Sequence, residues 1–315
     1  MRLARFEHQG TVKSGLFNDH VVIDLAAAAA KCGDKVAEAA AEWDDDLMRF
    51  LPPVGSDAKH LRSLAGFIER LAAGERTKLE IPTDHVRLLA PIPRPRAIFL
   101  LAGNYAAHIE EGGKKAAARQ DTFPYVFMKP PTTVTNPGDP VKIPAVSPLS
   151  IDWECELGVV IGKSCKSVSE ADALKFVAGY TVVNDISDRK FRPNPDRTKR
   201  DNDQFFDWLH GKWHDTFCPF GPCIRSADSL ADPQTLTLEL RLNGQVKQHA
   251  STGQMIFPVA AVIEFLSSFV TLEPGDIIST GTPSGVGSAT GTFLKSGDVL
   301  EAEISGIGLL RNPVV

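Results

Sequence analysis

The chain lacks an apolar run long enough to cross a bilayer. The longest greasy stretch near its start, residues 21–30, is interrupted by Asp24 and is too short to span. Its first residues, Met1-Arg2-Leu3-Ala4-Arg5-Phe6-Glu7-His8, carry no apolar signal region, which points to a cytoplasmic protein with no membrane role. Cysteine is scarce: five among 315 residues, at 32, 155, 165, 218 and 223, with no CxxC pair. That spacing excludes a disulfide framework and a thiolate zinc site, and it fits a reducing compartment. An excess of positive charge is missing too. The 34 Lys and Arg against 39 Asp and Glu give a formal net charge of −5, which argues against a broad nucleic-acid footprint. Regular alternation of strands and helices is absent, so a TIM barrel or a Rossmann fold is disfavoured.

What remains is a chain long enough for one large domain and a smaller one. Residues 25–31, 35–50 and 57–73 are rich in Ala and Leu and read as helices around a small core, broken by the prolines at 52, 53 and 82. The stiff connector Pro91-Ile92-Pro93-Arg94-Pro95 marks a boundary between a small N-terminal domain, 1–90, and a larger one, 91–315. Beyond it the pattern predicts strands at 97–101, 125–128, 151–161, 180–183, 236–242, 277–279 and 299–304. Two helices interrupt them, 170–177 with Ser169 as N-cap and 258–270. Three Gly-Asp turns, at Gly138-Asp139, Gly275-Asp276 and Gly297-Asp298, precede apolar segments. The expected class is α+β with a long antiparallel or mixed sheet system.

Three carboxylates at alternate positions, Asp152, Glu154 and Glu156, lead into the apolar run Leu157-Gly158-Val159-Val160-Ile161. In a strand they point the same way, roughly 6.6 Å apart in succession. Adjacent anions beside a buried strand need protons or a cation, and a hard divalent ion of the Mg, Mn or Ca type suits clustered oxygens. A solvated strand end is the plainer alternative. Asp185, at the end of the run Tyr180-Thr181-Val182-Val183-Asn184-Asp185, offers a further ligand, although Asn-Asp is also common turn chemistry. His108 and Glu111 stand three apart, so one helical turn sets them within hydrogen-bonding reach, as a general base requires. Gly112-Gly113 would make that short helix marginal, as a lid is. Lys212 lies among aromatics and suits a charge-assisted contact to a substrate oxygen; a snorkelling surface lysine is the alternative. The loop Thr280-Gly281-Thr282-Pro283-Ser284-Gly285-Val286-Gly287 follows a strand, and its glycines would let backbone N–H groups approach an anion. Residues 188–203 carry six basic side chains, a solvated loop or a guide for an acidic substrate.

These pieces, in this order, resemble the fumarylacetoacetate hydrolase family over about residues 95–312. The resemblance rests on residues 104–111, 127–130, 152–162, 184–189, 212–222 and 280–287. It implies a β-roll-like mixed-sheet catalytic domain, commonly a homodimer, behind a variable small domain. It also implies Glu154, Glu156 and Asp185 as ligands of a divalent metal, usually Mg or Mn and sometimes Ca, with Asp152 outside the set. His108 and Glu111 match a dyad that activates water on a lid helix. Lys212 matches a lysine facing the developing oxyanion, and Lys129 and Thr282 match positions lining the pocket for a substrate carboxylate. Four departures touch substrate choice: Ala102 in Ala102-Gly103-Asn104-Tyr105, Lys190 after Arg189, Arg192 in place of a glutamine, and a longer loop from Arg192 to Leu209.

The expected activity is hydrolysis of a C–C bond in a small anionic 2-oxo acid, a 2,4-diketo acid of acylpyruvate type or a diketo-deoxy sugar acid, through an enolate held on the metal. Three alternatives use the same site: tautomerisation of a 2-hydroxymuconate-type dienoate, decarboxylation of a 2-oxo diacid, and dehydration of a keto-deoxy sugar acid. A non-catalytic binder with a structural ion is a further reading, against which the dyad and the lid argue.

Overall fold

All seven residues of the strand Cys155–Ile161 are buried, and its two faces divide the core. Cys155, Leu157, Val159 and Ile161 join one apolar cluster, whereas Val160 joins the other. Such a strand is covered on both sides, which is why it reads as a near-continuous apolar run. It pairs antiparallel with Val177–Asn184 along one edge and with Ile277–Ser279 along the other. The structure, a computed structural model, describes residues 1–315, the side chain of Asp34 excepted.

These strands belong to a 12-stranded mixed sheet. Its path runs Glu80–Pro82, Val21–Asp24, Thr11–Asn18, Arg2–His8, Cys218–Ser226, Val177–Asn184, Cys155–Ile161, Ile277–Ser279, Ile98–Ala102, Tyr125–Met128. Most neighbours are antiparallel, but Ile277–Ser279 and Ile98–Ala102 run parallel. One face shares its core with a four-stranded sheet, through Leu238, Leu240, Leu300 and Ile304, and with the helix Val259–Phe269. The other face packs on N-terminal helices, through Leu61, Leu64 and Ile68 of Ala58–Arg70. The architecture is α+β, as the sequence pattern implies. Among the described residues no helix is long and apolar enough to cross a membrane.

The first ninety residues do not close on a core of their own. Arg2–His8 pairs with Cys218–Ser226, Leu3 opposite Ile224, so the N-terminal strands extend the sheet that carries the later ones. Leu47, Phe50 and Leu61 share a cluster with Ile98, Val160 and Phe220. The sequence pattern missed these early strands, and it also missed the helix Asp203–His210 inside the basic segment. The expected helix 170–177 is one turn, Glu170–Ala173, then a 3-10 turn, because Val177 already begins a strand. Ser169 donates to Asp172 Oδ2 rather than capping the backbone, and the Glu170 N–H goes to Glu264 Oε1. At the Gly-Asp turns, Gly138, Gly275 and Gly297 all take positive φ, of 81°, 86° and 93°.

Close packing in the central strands is exacting. A Cβ added at Gly158 would lie 2.7 Å from Val183 Cγ2 and 2.8 Å from Thr181 Cγ2, both stiff β-branched side chains. Gly158→Ala is expected to lower stability by about 1–3 kcal/mol. Gly74→Ala, in a helix with nothing within 4 Å, should leave stability equal or higher. Denaturant midpoints compare the two, and an unchanged midpoint for Gly158→Ala would contradict this packing.

Candidate functional site

The strand expected at 151–161 breaks at Trp153-Glu154, and the break builds the site. Ile151–Asp152 pairs separately with Ser187–Asp188, while the main ladder starts with Cys155 opposite Asn184 and Glu156 opposite Val183. Just beyond the ladder, the Asp185 N–H donates to the Glu154 carbonyl at 2.9 Å, and the Glu154 N–H donates to Asn184 Oδ1 at 3.0 Å. Glu154 and Asp185 are thereby fixed side by side at the ends of two core strands. One carboxylate oxygen from each of Glu154, Glu156 and Asp185 lies within 4.8 Å of the others, and all three residues are buried.

Cations crowd this cluster. Lys212 Nζ donates to Glu154 Oε2 at 2.6 Å and to Asp185 Oδ2 at 2.7 Å. Arg189 bridges Asp152 Oδ2 at 2.8 Å and Glu154 Oε1 at 2.6 Å. Lys129 Nζ lies 2.5 Å from Asp185 Oδ1 but aims its N–H groups at the carbonyls of Ile186 and Phe217, leaving Oδ1 without an aligned hydrogen bond. Four carboxylates (Asp152, Glu154, Glu156, Asp185) thus face three cations (Lys129, Arg189, Lys212), one negative charge in excess. Glu156 is the carboxyl left without a cation. Its Oε2 accepts from Ser279 Oγ at 2.6 Å and the Gly281 N–H at 2.8 Å, while the buried Oε1 has no partner.

The proton affinities follow from this layout. Burial, then Asp185 and Glu154, push the Glu156 carboxyl well above its ordinary 4.5. Burial also opposes ionisation of Glu154, but Arg189, Lys212 and His108 override it and hold that carboxyl far below the usual range. Burial works against the Lys212 charge, and Asp185 and Glu154 more than restore it. The orphaned Glu156 Oε1, the poorly satisfied Asp185 Oδ1 and the all-oxygen donor set fit a hard divalent cation.

His108 and Glu111 lie on the short helix Ala106–Glu111, with His108 Nδ1 2.7 Å from Glu111 Oε1. The other Glu111 oxygen, Oε2, accepts the Gly285 N–H at 2.8 Å. The loop after Ile277–Ser279 is therefore not an open anion nest, as its glycines suggest. The protein's own carboxylates take its N–H groups: Glu156 at Gly281, Glu111 at Gly285, and Asp152 at Gly287 and Ser288, the last two at 2.6 and 2.9 Å. With Trp153 N–H and Arg189 also donating to it, Asp152 has four donors, which explains why it stands outside the acidic cluster.

The remaining predicted residues are placed as follows. Thr282 is buried; its Oγ1 donates to the Cys155 carbonyl and accepts from Gln248 Nε2. Lys129 is buried, its Nζ 2.5 Å from Asp185 Oδ1. Arg192 is exposed on the loop before Asp203–His210. Sequence reasoning missed the parts played by Arg189, Gln248 and Asn104. Asn104 is buried and bonds to Phe257 and to the Thr280 carbonyl, tying the root of the helix Ala106–Glu111 to the loop. Only the polarity of Asn104 before an apolar-flanked turn hinted at this. Arg189 and Gln248 reach across 35 and 93 residues, and no local pattern signals such pairs.

The linkage sign for Glu156 is definite. Its raised value means that its contribution to stability is complete below pH 4.5 and lost as pH climbs through the folded-state value. A divalent ion reverses that loss by stabilising the charged form. Millimolar Mn or Mg should therefore raise the melting temperature more at pH 8 than at pH 6, and Glu156→Gln should abolish the difference. Equal ion-induced shifts at both pH values, measured by calorimetry, would count against a cation beside Glu156.

Residues 97–315 match the family described as fumarylacetoacetate (FAA) hydrolase C-terminal. The mitochondrial oxaloacetate tautomerase of Xenopus laevis is 41% identical over 234 residues, 74% of this chain and 69% of that protein. Among solved structures, maleylpyruvate hydrolase from Sphingobium sp. SYK-6, in complex with manganese(II) and pyruvate, aligns with a TM-score of 0.71 and 31% identity, over 100% of this chain and 99% of that one. The 5-carboxymethyl-2-hydroxymuconate delta-isomerase of Mycobacterium smegmatis aligns with a TM-score of 0.68 and 31% identity, over 100% and 98%. With the acidic cluster, the dyad and the loop that joins them on one fold, the chain belongs to the fumarylacetoacetate hydrolase family.

Proposed function

We propose that this chain is a divalent-metal-dependent enzyme that moves a proton at the carbon beside the oxo group of a small 2-oxo acid, with keto–enol tautomerisation as the reaction. The observation that carries this reading is the His108–Glu111 pair, 2.7 Å apart and pinned by Gly285 N–H, on the loop whose start also holds Glu156. The 41% identity to an oxaloacetate tautomerase supports this choice among reactions that share a base.

Glu154, Glu156 and Asp185 would hold the ion, and Mn or Mg both suit three carboxylates. When bound, it supplies positive charge beside the carboxylate and 2-oxo oxygens of the substrate and so acidifies the adjacent C–H. His108 acts as the base. Glu111 fixes the imidazole's tautomer and stabilises the charge it gains. The electron pair of the broken C–H bond forms the C2–C3 double bond, and negative charge moves to the 2-oxo oxygen. Lys212 uses two of its three N–H donors on Glu154 and Asp185, which leaves one for that oxygen. The proton returns from His108 to oxygen, completing the enol, or to carbon in the reverse direction. Lys129 and Thr282 act from behind, seating Asp185 and the Cys155 carbonyl. Arg192, exposed on the loop before Asp203–His210, is the cation proposed for a second substrate carboxylate.

A second reading, hydrolysis of a C–C bond in a 2,4-diketo acid, is favoured by the full-length likeness to maleylpyruvate hydrolase. There the same dyad would deprotonate water. The two part at the product: tautomerisation conserves mass, whereas hydrolysis adds water and yields two acids.

Purified chain with Mn or Mg should speed enol–keto conversion of oxaloacetate, followed by ultraviolet absorbance, and should lose that activity in EDTA. Full activity after complete metal removal would end the metal-dependent reading. His108→Ala should lower the rate by about 10²–10⁴-fold, the usual loss for a general base. Wild-type rates in that variant would retire the dyad, and two acids released from an acylpyruvate, detected by mass spectrometry, would favour hydrolysis.

A further inference from the structure

Arg189 and Lys212, the two cations that share Glu154, sit on segments that also touch each other outside the acidic cluster. The Asp188 N–H donates to the Gly211 carbonyl at 2.9 Å, and the Arg189 N–H donates to the Ser150 carbonyl at 2.9 Å. A Cβ at Gly211 would collide with the Asp188 carbonyl oxygen, so the two backbones meet without a side chain between them. Two residues past Lys212, the His214 ring turns back onto the same stretch. It meets Phe191 at 4.8 Å and Phe217 at 5.0 Å, and its Nε2 stands 3.6 Å from Asp188 Oδ2. Asp188 is 2% exposed, and its other oxygen accepts from Ser150 Oγ at 2.7 Å and from the Lys190 N–H at 3.2 Å. Asp188 Oδ2 and His214 Nε2 are both buried, and neither has a hydrogen-bond partner elsewhere. Burial opposes a charge on Asp188, but His214 and the hydroxyls of Ser147 and Ser150 outweigh it and hold that carboxyl below its usual range.

We propose that Asp188 and His214 form a positioning pair that fixes Arg189 and Lys212 relative to each other around Glu154. A gap of 3.6 Å is too narrow for an aligned water bridge, so a small shift of the ring closes the pair directly, Nε2–H to Oδ2. A buried donor and a buried acceptor that face each other hold together because either one alone is left unsatisfied. The pair acts through its neighbours and touches no reacting atom. Asp188 precedes Arg189, which bridges Asp152 and Glu154. His214 follows Lys212, whose Nζ reaches Glu154 and Asp185. Opening the pair frees the two segments to separate, and Glu154 then loses the joint grip of both cations. The same ring holds Phe191, and with it the start of the loop that bears Arg192. The effect on turnover rests on the role proposed above for Lys212 at the 2-oxo oxygen; the positioning itself does not.

Hydrogen exchange on the full chain, read by mass spectrometry, tests the positioning without any substrate. His214→Phe keeps a ring against Phe191 and Phe217 but removes the ring nitrogens. It should speed exchange about tenfold in peptides covering 187–192 and 211–217, and leave the central strands 155–161 and 177–184 unchanged. His214→Gln restores an N–H donor and should return exchange to within about threefold of wild type. In the oxaloacetate assay His214→Phe should lower kcat about tenfold and leave KM within about twofold, because Lys212 matters most as charge develops. Asp188→Asn combined with His214→Phe should do no more than His214→Phe alone, as two halves of one contact do. Wild-type exchange in both peptides of His214→Phe would overturn the pair. So would faster exchange spread over the whole chain, or a defect that His214→Gln leaves in place. A wild type without tautomerase activity would instead end the functional reading, and the exchange result would decide the pair by itself.

Discussion

Four buried carboxylates held by two buried lysines and the partly buried Arg189 form the constraint around which the rest of the site is arranged. Asp152, Glu154 and Asp185 each have a cation within 2.8 Å, while Glu156 has only a hydroxyl and one backbone N–H. Leaving one partner of a buried ion pair unmatched costs about 3–5 kcal/mol. Lys129, Lys212 and Arg189 are therefore part of the fold as well as of the site. The remaining imbalance at Glu156 is what raises its affinity for a proton and what a divalent cation would relieve. Stability and function meet at this carboxyl.

The loop from Thr280 to Ser288 gives this charge arrangement its geometry. Its N–H groups hold Glu156, Glu111 and Asp152 in succession, so one backbone segment sets the acidic cluster and the dyad relative to each other. Glycines at 281 and 285 take positive φ, and a Cβ at 281 would press on Asn104, whose own amide ties the loop to the root of the helix Ala106–Glu111. Backbone donors in a dry site are preorganised, which gives electrostatic contacts their strength without reorganisation during reaction. Displacing the loop would loosen base and cluster together.

A base facing a cationic centre beside a 2-oxo acid suits several reactions, which is how tautomerase, isomerase and hydrolase relatives share one fold. The outcome depends on what the base meets, a C–H bond or a water molecule. In the segment 190–202 of this chain, Arg197 and Arg200 are bound to Asp203 and Lys190 lies 5.6 Å from the Phe293 ring. Arg192 is left exposed there.

Much of the site was legible in the residues themselves. Alternating carboxylates before an apolar run marked Glu154 and Glu156, an Asn-Asp strand end marked Asp185, and a three-residue spacing marked His108 with Glu111. These are local patterns with short-range physical causes, and the same holds for the Gly-Asp turns and most later strands. The break at Trp153-Glu154 was not legible, since it arises from Asp152 being drawn to Arg189 and to Gly287 and Ser288 far along the chain. Nor was the fusion of the first strands into the main sheet, which depends on pairing Leu3 with Ile224. By itself the sequence determined which groups are present and in what periodicity, because propensity and alternation act over a few residues. The tertiary structure decided which cation neutralises which carboxylate and which one is left unmatched, because that balance depends on distances between segments that only folding brings together.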